Sequence, residues 1–130
     1  MTGNDCLLDT NAVILFLNGD PNIINLFSNL TRLNIPVIVV GELFYGAYNS
    51  KKHSHNLEIL HSILNTAFII GTDEITAMHY GKIKSELKSK GTPIPENDIW
   101  ISALARLYKM KVITRDAHFN NIEKMELISW

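Results

Sequence analysis

The sequence predicts an α/β protein in which helices cover both faces of a mainly parallel sheet of about four to five strands. Short apolar runs that read as strands alternate with stretches of helical spacing along the whole chain. Such alternation is typical of parallel sheets covered by helices. The chain has 130 residues, of which 46% are hydrophobic. We therefore expect a single domain over residues 1–130, which is long enough to bury a hydrophobic core.

The predicted strands are short apolar runs bounded by polar residues, proline or glycine. The first six or so residues lead into the first apolar run, which ends near Asp9. Pro36 opens a β-branched run that Gly41 closes, which is typical of a buried strand. In chain order, the five predicted strands cover 6–8, 37–40, 68–70, 112–114 and 126–129.

The predicted helices follow from start signals and from apolar residues spaced by three or four. Asp20-Pro21 combines an acidic N-cap with proline at the first helical position. Thr72-Asp73-Glu74 predicts the start of a longer helix, and an apolar stripe over 100–108 predicts a helix that begins at Asp98. The remaining predicted helices cover 12–17, 43–49 and 57–64, with an exposed turn at 50–54.

Composition excludes several classes of protein. No apolar stretch approaches the roughly 20 residues of a membrane span. Acidic and polar residues precede and interrupt the first apolar run, so we expect no signal peptide and a cytoplasmic protein. The single Cys6 cannot form an intrachain disulfide and is expected to be a buried apolar side chain. The net charge of −1 does not by itself indicate a polyanionic partner.

Four acidic residues occupy predicted junctions between an apolar run and a helix: Asp9, Glu42, Asp98 and Asp116. In a parallel α/β protein these junctions meet at one edge of the sheet. Each acid alone is compatible with a helix cap or an ion pair. Together they would repel, because two carboxylates about 5 Å apart cost about 3 kcal/mol at an effective dielectric constant of about 20. Protons or a divalent cation must compensate such a cluster, and carboxylates without cysteine suit Mg²⁺ or Mn²⁺.

Five segments carry a family resemblance, in this order along the chain: LLDTN at 7–11, GELFYGA at 41–47, IPENDIWISA at 94–103, VITRD at 112–116 and LISW at 127–130. In these segments the chain resembles PIN-domain ribonucleases, and within that family the VapC toxins of bacterial type II toxin–antitoxin modules. The resemblance implies a PIN-like three-layer α/β/α sandwich. It also implies an endoribonuclease toxin that cuts tRNA or rRNA and inhibits translation until an antitoxin neutralises it.

The resemblance also implies roles for residues of the chain. Asp9 and Asp98 would be the principal ligands of Mg²⁺ (or Mn²⁺), Asp116 would complete the acidic pocket, and Glu42 would bind the ion directly or through water. The ion would activate water for in-line attack on RNA, leaving a 5′-phosphate and a 3′-hydroxyl. Three polar residues beside the acids would orient ligands or the attacking water, or else serve as turn and cap residues: Thr10, Asn11 and Thr114.

Basic side chains are candidate contacts for RNA phosphates, with a solvated helix face as the alternative. Four belong to the helix predicted after residue 74 and to its exit, and Arg115 lies elsewhere: Lys82, Lys84, Lys88, Lys90 and Arg115. The family resemblance further implies a homodimer and a cognate antitoxin that wraps a hydrophobic groove. Candidates for the groove, with core burial as the alternative, are Ile23, Leu26, Phe27, Phe44 and Tyr45.

Two other functions remain open from the residues alone. Imidazoles could support a metal-independent ribonuclease that uses the RNA 2′-hydroxyl, although none has a partner by spacing: His53, His55, His61, His79 and His118. The second alternative is a non-hydrolytic metal-binding α/β module that acts through partners. A receiver-like module of this kind would need an aspartate after the middle strand and a lysine at the end of the late strand. The match is poor, because Gly41-Glu42 and Arg115-Asp116 occupy those positions.

Overall fold

The computed structural model describes residues 5–130, and within them the chain forms one parallel sheet. The strands are β1 Cys6–Leu8, β2 Asn34–Pro36, β3 Phe68–Ile70, β4 Lys111–Ile113 and β5 Leu127–Ile128. Their order across the sheet is β3-β2-β1-β4-β5, and all four pairings are parallel. Residues 1–4 of the predicted leading segment lie outside the described part of the chain.

Helices fill the connections between the strands of residues 5–130. They are α1 Thr10–Leu17, α2 Pro21–Ser28, α3 Val37–Tyr48, α4 His53–Thr66, α5 Glu74–Lys90 and α6 Glu96–Tyr108, with a 3-10 helix at Ala117–Asn121. Helices α1 to α4 lie between β1 and β3, whereas α5 and α6 lie in the return to β4. Because parallel crossovers are right-handed, the two sets cover opposite faces of the sheet. The predicted three-layer α/β/α architecture is therefore confirmed.

Side-chain caps fix where several helices begin. The carboxylate of Asp9 accepts a hydrogen bond from the Thr10 N–H, so α1 starts two residues earlier than predicted. Asp20 caps α2, and Asp73 caps α5 through a reciprocal pair of hydrogen bonds with Thr76. The predicted starts of α2 and α5 are thus confirmed.

The predicted strand at 37–40 is wrong. The strand β2 ends at Pro36, and the β-branched run that follows it forms the first turn of α3. Val39, Leu43 and Ala47 are buried at intervals of four residues, so burial follows the helical period. A short β-branched run is compatible with either structure, and here packing of the α3 face overrides strand propensity. Gly41 consequently lies inside a helix and does not end a strand.

The central strands carry the most completely buried side chains. Leu7 and Leu8 of β1 and Val112 and Ile113 of β4 have no exposed surface. This burial holds the carboxyl ends of β1 and β4 side by side, in the register that pairs Leu8 with Ile113. The residues that immediately follow these two strands are therefore brought together. None of the helices in residues 5–130 combines the length and apolar character required to span a membrane.

Candidate metal centre

Asp9 and Thr114 lie at the carboxyl ends of adjacent strands. The Asp9 N–H donates to the Ile113 carbonyl at 3.1 Å, which continues the pairing of β1 with β4 by one step. The Thr114 hydroxyl donates to Asp9 Oδ2 at 2.7 Å, and the Thr10 N–H donates to Asp9 Oδ1 at 2.8 Å. Both residues are buried. Asp9 is therefore held in one orientation by donors on both of its oxygens.

Asp98 and Asp116 approach each other beside this pair. Asp98 is the third residue of α6 and is buried, whereas Asp116 caps the 3-10 helix by accepting from the His118 N–H at 2.9 Å. The His118 Nδ1 lies 2.8 Å from Asp116 Oδ1 and 3.2 Å from Asp98 Oδ2. Ligand atoms of Asp98, Asp116 and His118 all lie within 4.8 Å of one another, and no other such group of three or more is found in residues 5–130.

Glu42 lies near the same acids, but on a different structural element from the one predicted. It is the sixth residue of α3 and does not stand at a strand-to-helix junction, because the strand before it ends at Pro36. Burial raises the pKa of its carboxyl, with a further contribution from the nearby negative charge of Asp9, whereas the side chains of Thr10 and Asn97 oppose this shift. Glu42 also lines an open groove between α1 and α3 together with Asn11, whose side chain is exposed.

Each of the four predicted acids therefore lies close enough to another for the charge of one to raise the pKa of the other. We refer to Asp9, Glu42, Asp98 and Asp116 as the acidic cluster. Burial, followed by the charges of Asp116 and Asp9, raises the pKa of Asp98 to about 6 despite the opposing effect of His118. Burial also raises the pKa of Asp9 and of Glu42. In each case desolvation of the charged form is the largest cause. The environment of the acidic cluster therefore disfavours the charged forms of Asp9, Glu42 and Asp98.

The donors of the acidic cluster suit a hard divalent cation. Carboxylate oxygens predominate, and Cys6 is buried in the core at the amino end of β1, opposite the end that Asp9 follows. A further observation is the Thr10 hydroxyl, whose oxygen is buried without a hydrogen-bond partner. It influences the pKa of Glu42 but does not reach hydrogen-bonding geometry with that carboxyl. A polar atom left in this state beside the acidic cluster is what a bound ligand or its water shell would satisfy.

Two residues of this region were not predicted as part of the acid site. His118 was considered only for a metal-independent nuclease, and Asn97 was not among the candidate site residues. The signal for His118 is its position two residues after Asp116 in a capped turn, because the cap folds the imidazole back onto the capping carboxylate. Asn97 gives no comparable signal, since its proximity to Glu42 depends on how α6 packs beside α3.

The basic residues predicted to contact RNA fall into two groups. Lys84, Lys90 and Arg115 already have partners: Lys84 forms an ion pair with Glu96 at 2.7 Å, and Lys90 donates to the Asn121 carbonyl at 2.6 Å. Arg115 donates to the Trp130 carbonyl and stacks over the Trp130 ring. Lys82 and Lys88 are exposed and form no ion pair within residues 5–130.

Comparison with known proteins identifies the family of this architecture. The PIN-domain family model matches residues 6–125. Ribonuclease VapC2 from Haemophilus influenzae is 33% identical over 124 residues, which cover 94% of this chain and 90% of the relative. A tRNA(fMet)-specific endonuclease VapC from Salmonella typhimurium is 32% identical over the same shares of the two chains.

Solved structures give the same result. A chain in the crystal structure of DNA-bound VapBC from Salmonella typhimurium superposes with a TM-score of 0.91 at 30% identity, covering 98% of each chain. A chain in the structure of VapBC2 from Rickettsia felis, bound to a DNA fragment from its promoter, gives a TM-score of 0.88 at 29% identity. It covers 96% of this chain and 98% of the other. The fold of the present chain and the order of its elements are therefore those of an established family.

Proposed function

The chain belongs to the PIN-domain family and within it to the VapC ribonucleases, and on that premise we propose that it is a metal-dependent endoribonuclease toxin. A single nuclease domain over residues 1–130 would hydrolyse RNA and inhibit translation until an antitoxin neutralises it. The observation that carries the proposal is the acidic cluster, in which the buried carboxylates of Asp9 and Asp98 lie near the half-buried carboxylates of Glu42 and Asp116. Its uncompensated charge is the property that a cation site requires.

We assign the acidic cluster as the set of metal ligands and catalytic residues, with Mg²⁺ or Mn²⁺ as the ion. When bound, the ion would lower the pKa of a water molecule and stabilise negative charge on the scissile phosphate. Asp9 and Asp98 would hold the ion, Asp116 would complete its coordination, and Glu42 would act directly or through water. Thr114 and the Thr10 N–H keep the Asp9 carboxylate in place, which is the positioning that a metal ligand needs.

The names of the relatives favour tRNA as the substrate. The Salmonella typhimurium relative and a 26% identical relative from Shigella flexneri are both named tRNA(fMet)-specific endonucleases. The open groove beside Glu42 and Asn11 would admit a single strand of RNA to the acidic cluster. Lys82 and Lys88 are the better candidates for phosphate contacts, because Lys84 and Arg115 would first have to leave their present partners.

We further propose a cognate antitoxin partner and a homodimer for this protein, which we place in the cytoplasm. The related solved structures are VapBC complexes, in which the toxin is accompanied by VapB. Of the five predicted groove residues, Ile23 and Phe27 are buried in the core and cannot meet a partner. Tyr45 is 71% exposed beside the groove that Glu42 lines, so an antitoxin segment that covers Tyr45 would also block the acidic cluster. Recovery of only the monomer from native cells would contradict both assignments.

Cleavage of a tRNA panel by the purified protein tests the enzymatic proposal. We expect cleavage with Mg²⁺ or Mn²⁺, 5′-phosphate and 3′-hydroxyl ends, and complete loss on adding a chelator. Asp98→Asn should lower the rate at least about 100-fold, because such ions supply several kcal/mol of charge stabilisation in the transition state. Glu58→Gln, which removes an exposed carboxylate of α4, should leave the rate unchanged.

The same assay separates the alternative histidine mechanism. A substrate with a 2′-deoxy nucleotide at the cleavage site should still be cut, since the nucleophile of the proposed reaction is water. Cleavage that survives the chelator but fails on the 2′-deoxy substrate would replace the metal-dependent mechanism by the metal-independent one. A folded wild-type protein that cuts no RNA under any of these conditions would favour a non-hydrolytic metal-binding module.

A further inference from the structure

We propose that His118 is a nitrogen ligand of the cation and makes the centre prefer Mn²⁺ to Mg²⁺. This inference rests on the proposed function, because it concerns the ion that the acidic cluster would hold. It adds an imidazole to a site whose predicted ligands are all carboxylates. It also gives a role to the histidine that lies between two of those carboxylates.

The first argument is the spacing of the three side chains. The His118 Nδ1 lies 2.8 Å from Asp116 Oδ1 and 3.2 Å from Asp98 Oδ2. Adjacent ligand atoms of an octahedral ion are separated by about 1.4 bond lengths, or about 3 Å for bonds of about 2.1 Å. The two separations are those expected along two edges of such an octahedron. A cation could therefore bind among the three side chains with little movement of them.

The second argument is that the imidazole is held in place by the turn that carries it. Asp116 Oδ1 accepts from the His118 N–H at 2.9 Å, and the Asp116 N–H donates to the Thr114 hydroxyl at 2.9 Å. The same hydroxyl donates to Asp9 Oδ2. A chain of hydrogen bonds thus links the position of His118 to two of the proposed ligands. The His118 side chain remains 48% exposed, which leaves an opening through which a hydrated ion can enter.

The third argument concerns the choice of ion. Mg²⁺ gives up its water reluctantly and prefers oxygen ligands, whereas first-row transition ions accept imidazole nitrogen readily. Among these ions, Mn²⁺ also accepts a site in which carboxylates predominate. Within residues 5–130 no lysine or arginine forms an ion pair with Asp98 or Asp116, and His118 is the side chain that lies within 3.2 Å of both.

Pulsed electron paramagnetic resonance of Mn²⁺ bound to the metal-free, RNA-free protein tests the proposal directly. Nitrogen coupling from a directly bound imidazole is expected in the wild type and should disappear in His118→Asn. The asparagine side chain keeps an N–H donor and an oxygen but offers no imidazole nitrogen. A matched control is His55→Asn, which changes an exposed histidine of α4 and should leave the nitrogen signal intact.

Titration calorimetry at one fixed pH provides the second readout. His118→Asn should weaken Mn²⁺ binding about tenfold, within the range found when groups that support a metal ligand are changed, and should alter Mg²⁺ binding much less. No nitrogen coupling in the wild type, or an equal loss of affinity for both ions, would reduce His118 to a hydrogen-bond donor. In that case cleavage with Mg²⁺ would leave the proposed function standing. A wild type that binds neither ion would overturn both proposals.

Discussion

Carboxylates have opposite environments in the acidic cluster and on the surface between α5 and α6. On that surface, Glu96 accepts a hydrogen bond from Lys84 that lowers its pKa. Glu86 likewise accepts hydrogen bonds from both terminal nitrogens of Arg106. We call these two ion pairs the paired surface. In the acidic cluster, burial raises the pKa of Asp98 to about 6.

The difference teaches that the two groups of acids serve different purposes. Each carboxylate of the paired surface has a cation on a neighbouring helix and remains accessible to water, so its charge costs the fold little. Carboxylates of the acidic cluster have hydroxyls, amides and one imidazole for neighbours, and their charge opposes folding. We infer that the cluster is retained for the ion it would bind, since an uncompensated site of this kind reduces stability.

The largest effect is expected from removing the charge of Asp98. The pKa of about 6 in the folded protein lies above the ordinary value of 3.8, so the folded state binds this proton more tightly than the unfolded state does. The free energy of unfolding should therefore fall as pH rises from about 4 to about 6. Asp98→Asn removes this penalty and should stabilise the metal-free protein by roughly 3 kcal/mol above pH 6.

Urea denaturation in chelator from pH 4 to pH 8 measures this difference. The gain of Asp98→Asn over the wild type should be small near pH 4 and should reach its full value above pH 6. Excess Mn²⁺ should stabilise the wild type and should stabilise the variant much less. As a control, Glu58→Gln should show no such dependence on pH, because Glu58 is exposed on α4. A gain that is already complete at pH 4 would contradict the electrostatic explanation.

The next effect concerns the hydroxyl that holds Asp9. Thr114→Val keeps the shape of the side chain but removes the donor to Asp9 Oδ2 and the acceptor for the Asp116 N–H. A buried group left without its partner costs about 1–3 kcal/mol, so the free energy of unfolding should fall by that amount. Thr114→Ser retains the hydroxyl and should recover most of the loss. Equal destabilisation by both variants would indicate that packing of the Thr114 methyl group, and not its hydrogen bonds, is responsible.

A smaller effect is expected from Lys82 and Lys88, which lie outside the paired surface. Lys82→Glu combined with Lys88→Glu should reduce the slope of log affinity against log salt for RNA, by about 0.7 for each lost phosphate contact. Binding should be measured in an Asp98→Asn background so that the RNA remains intact. Lys109→Glu makes a single change of the same kind at the carboxyl end of α6 and should leave the slope unchanged. An unchanged slope in the double variant would return Lys82 and Lys88 to a solvated helix face.

Much of the fold could be predicted from local signals. Asp20 and Asp73 are helix caps whose partners lie within three residues, so their role is visible in the sequence. Asp9 and Thr114 could be placed together because each follows an apolar strand, and parallel strands end at a common edge. The strand at 37–40 was wrong because a β-branched run fits two structures, and only its packing against the core decides between them.

The parts that could not be predicted depend on contacts between distant elements. Glu42 was expected after a strand, yet it reaches the cluster from the middle of α3 because that helix packs against α1 and α6. Lys84 was a candidate for RNA binding because it belongs to a cluster of lysines, and its ion pair with Glu96 on another helix could not be seen in the sequence. His118 was not assigned to the acids because its ring position follows from a turn geometry that residue spacing alone does not define.

The smallest effect is expected within the paired surface itself, at Arg106 and Glu86. Their side chains are 21% and 38% exposed, and both terminal nitrogens of Arg106 lie 3.2 Å from Glu86 Oε2. A double-mutant cycle with Arg106→Ala and Glu86→Ala should give a coupling energy below about 1 kcal/mol, because water screens such pairs and ordering two long side chains costs entropy. The coupling should also weaken at high salt. A coupling of about 3 kcal/mol would place this surface among the main determinants of stability, and would remove the contrast with the acidic cluster.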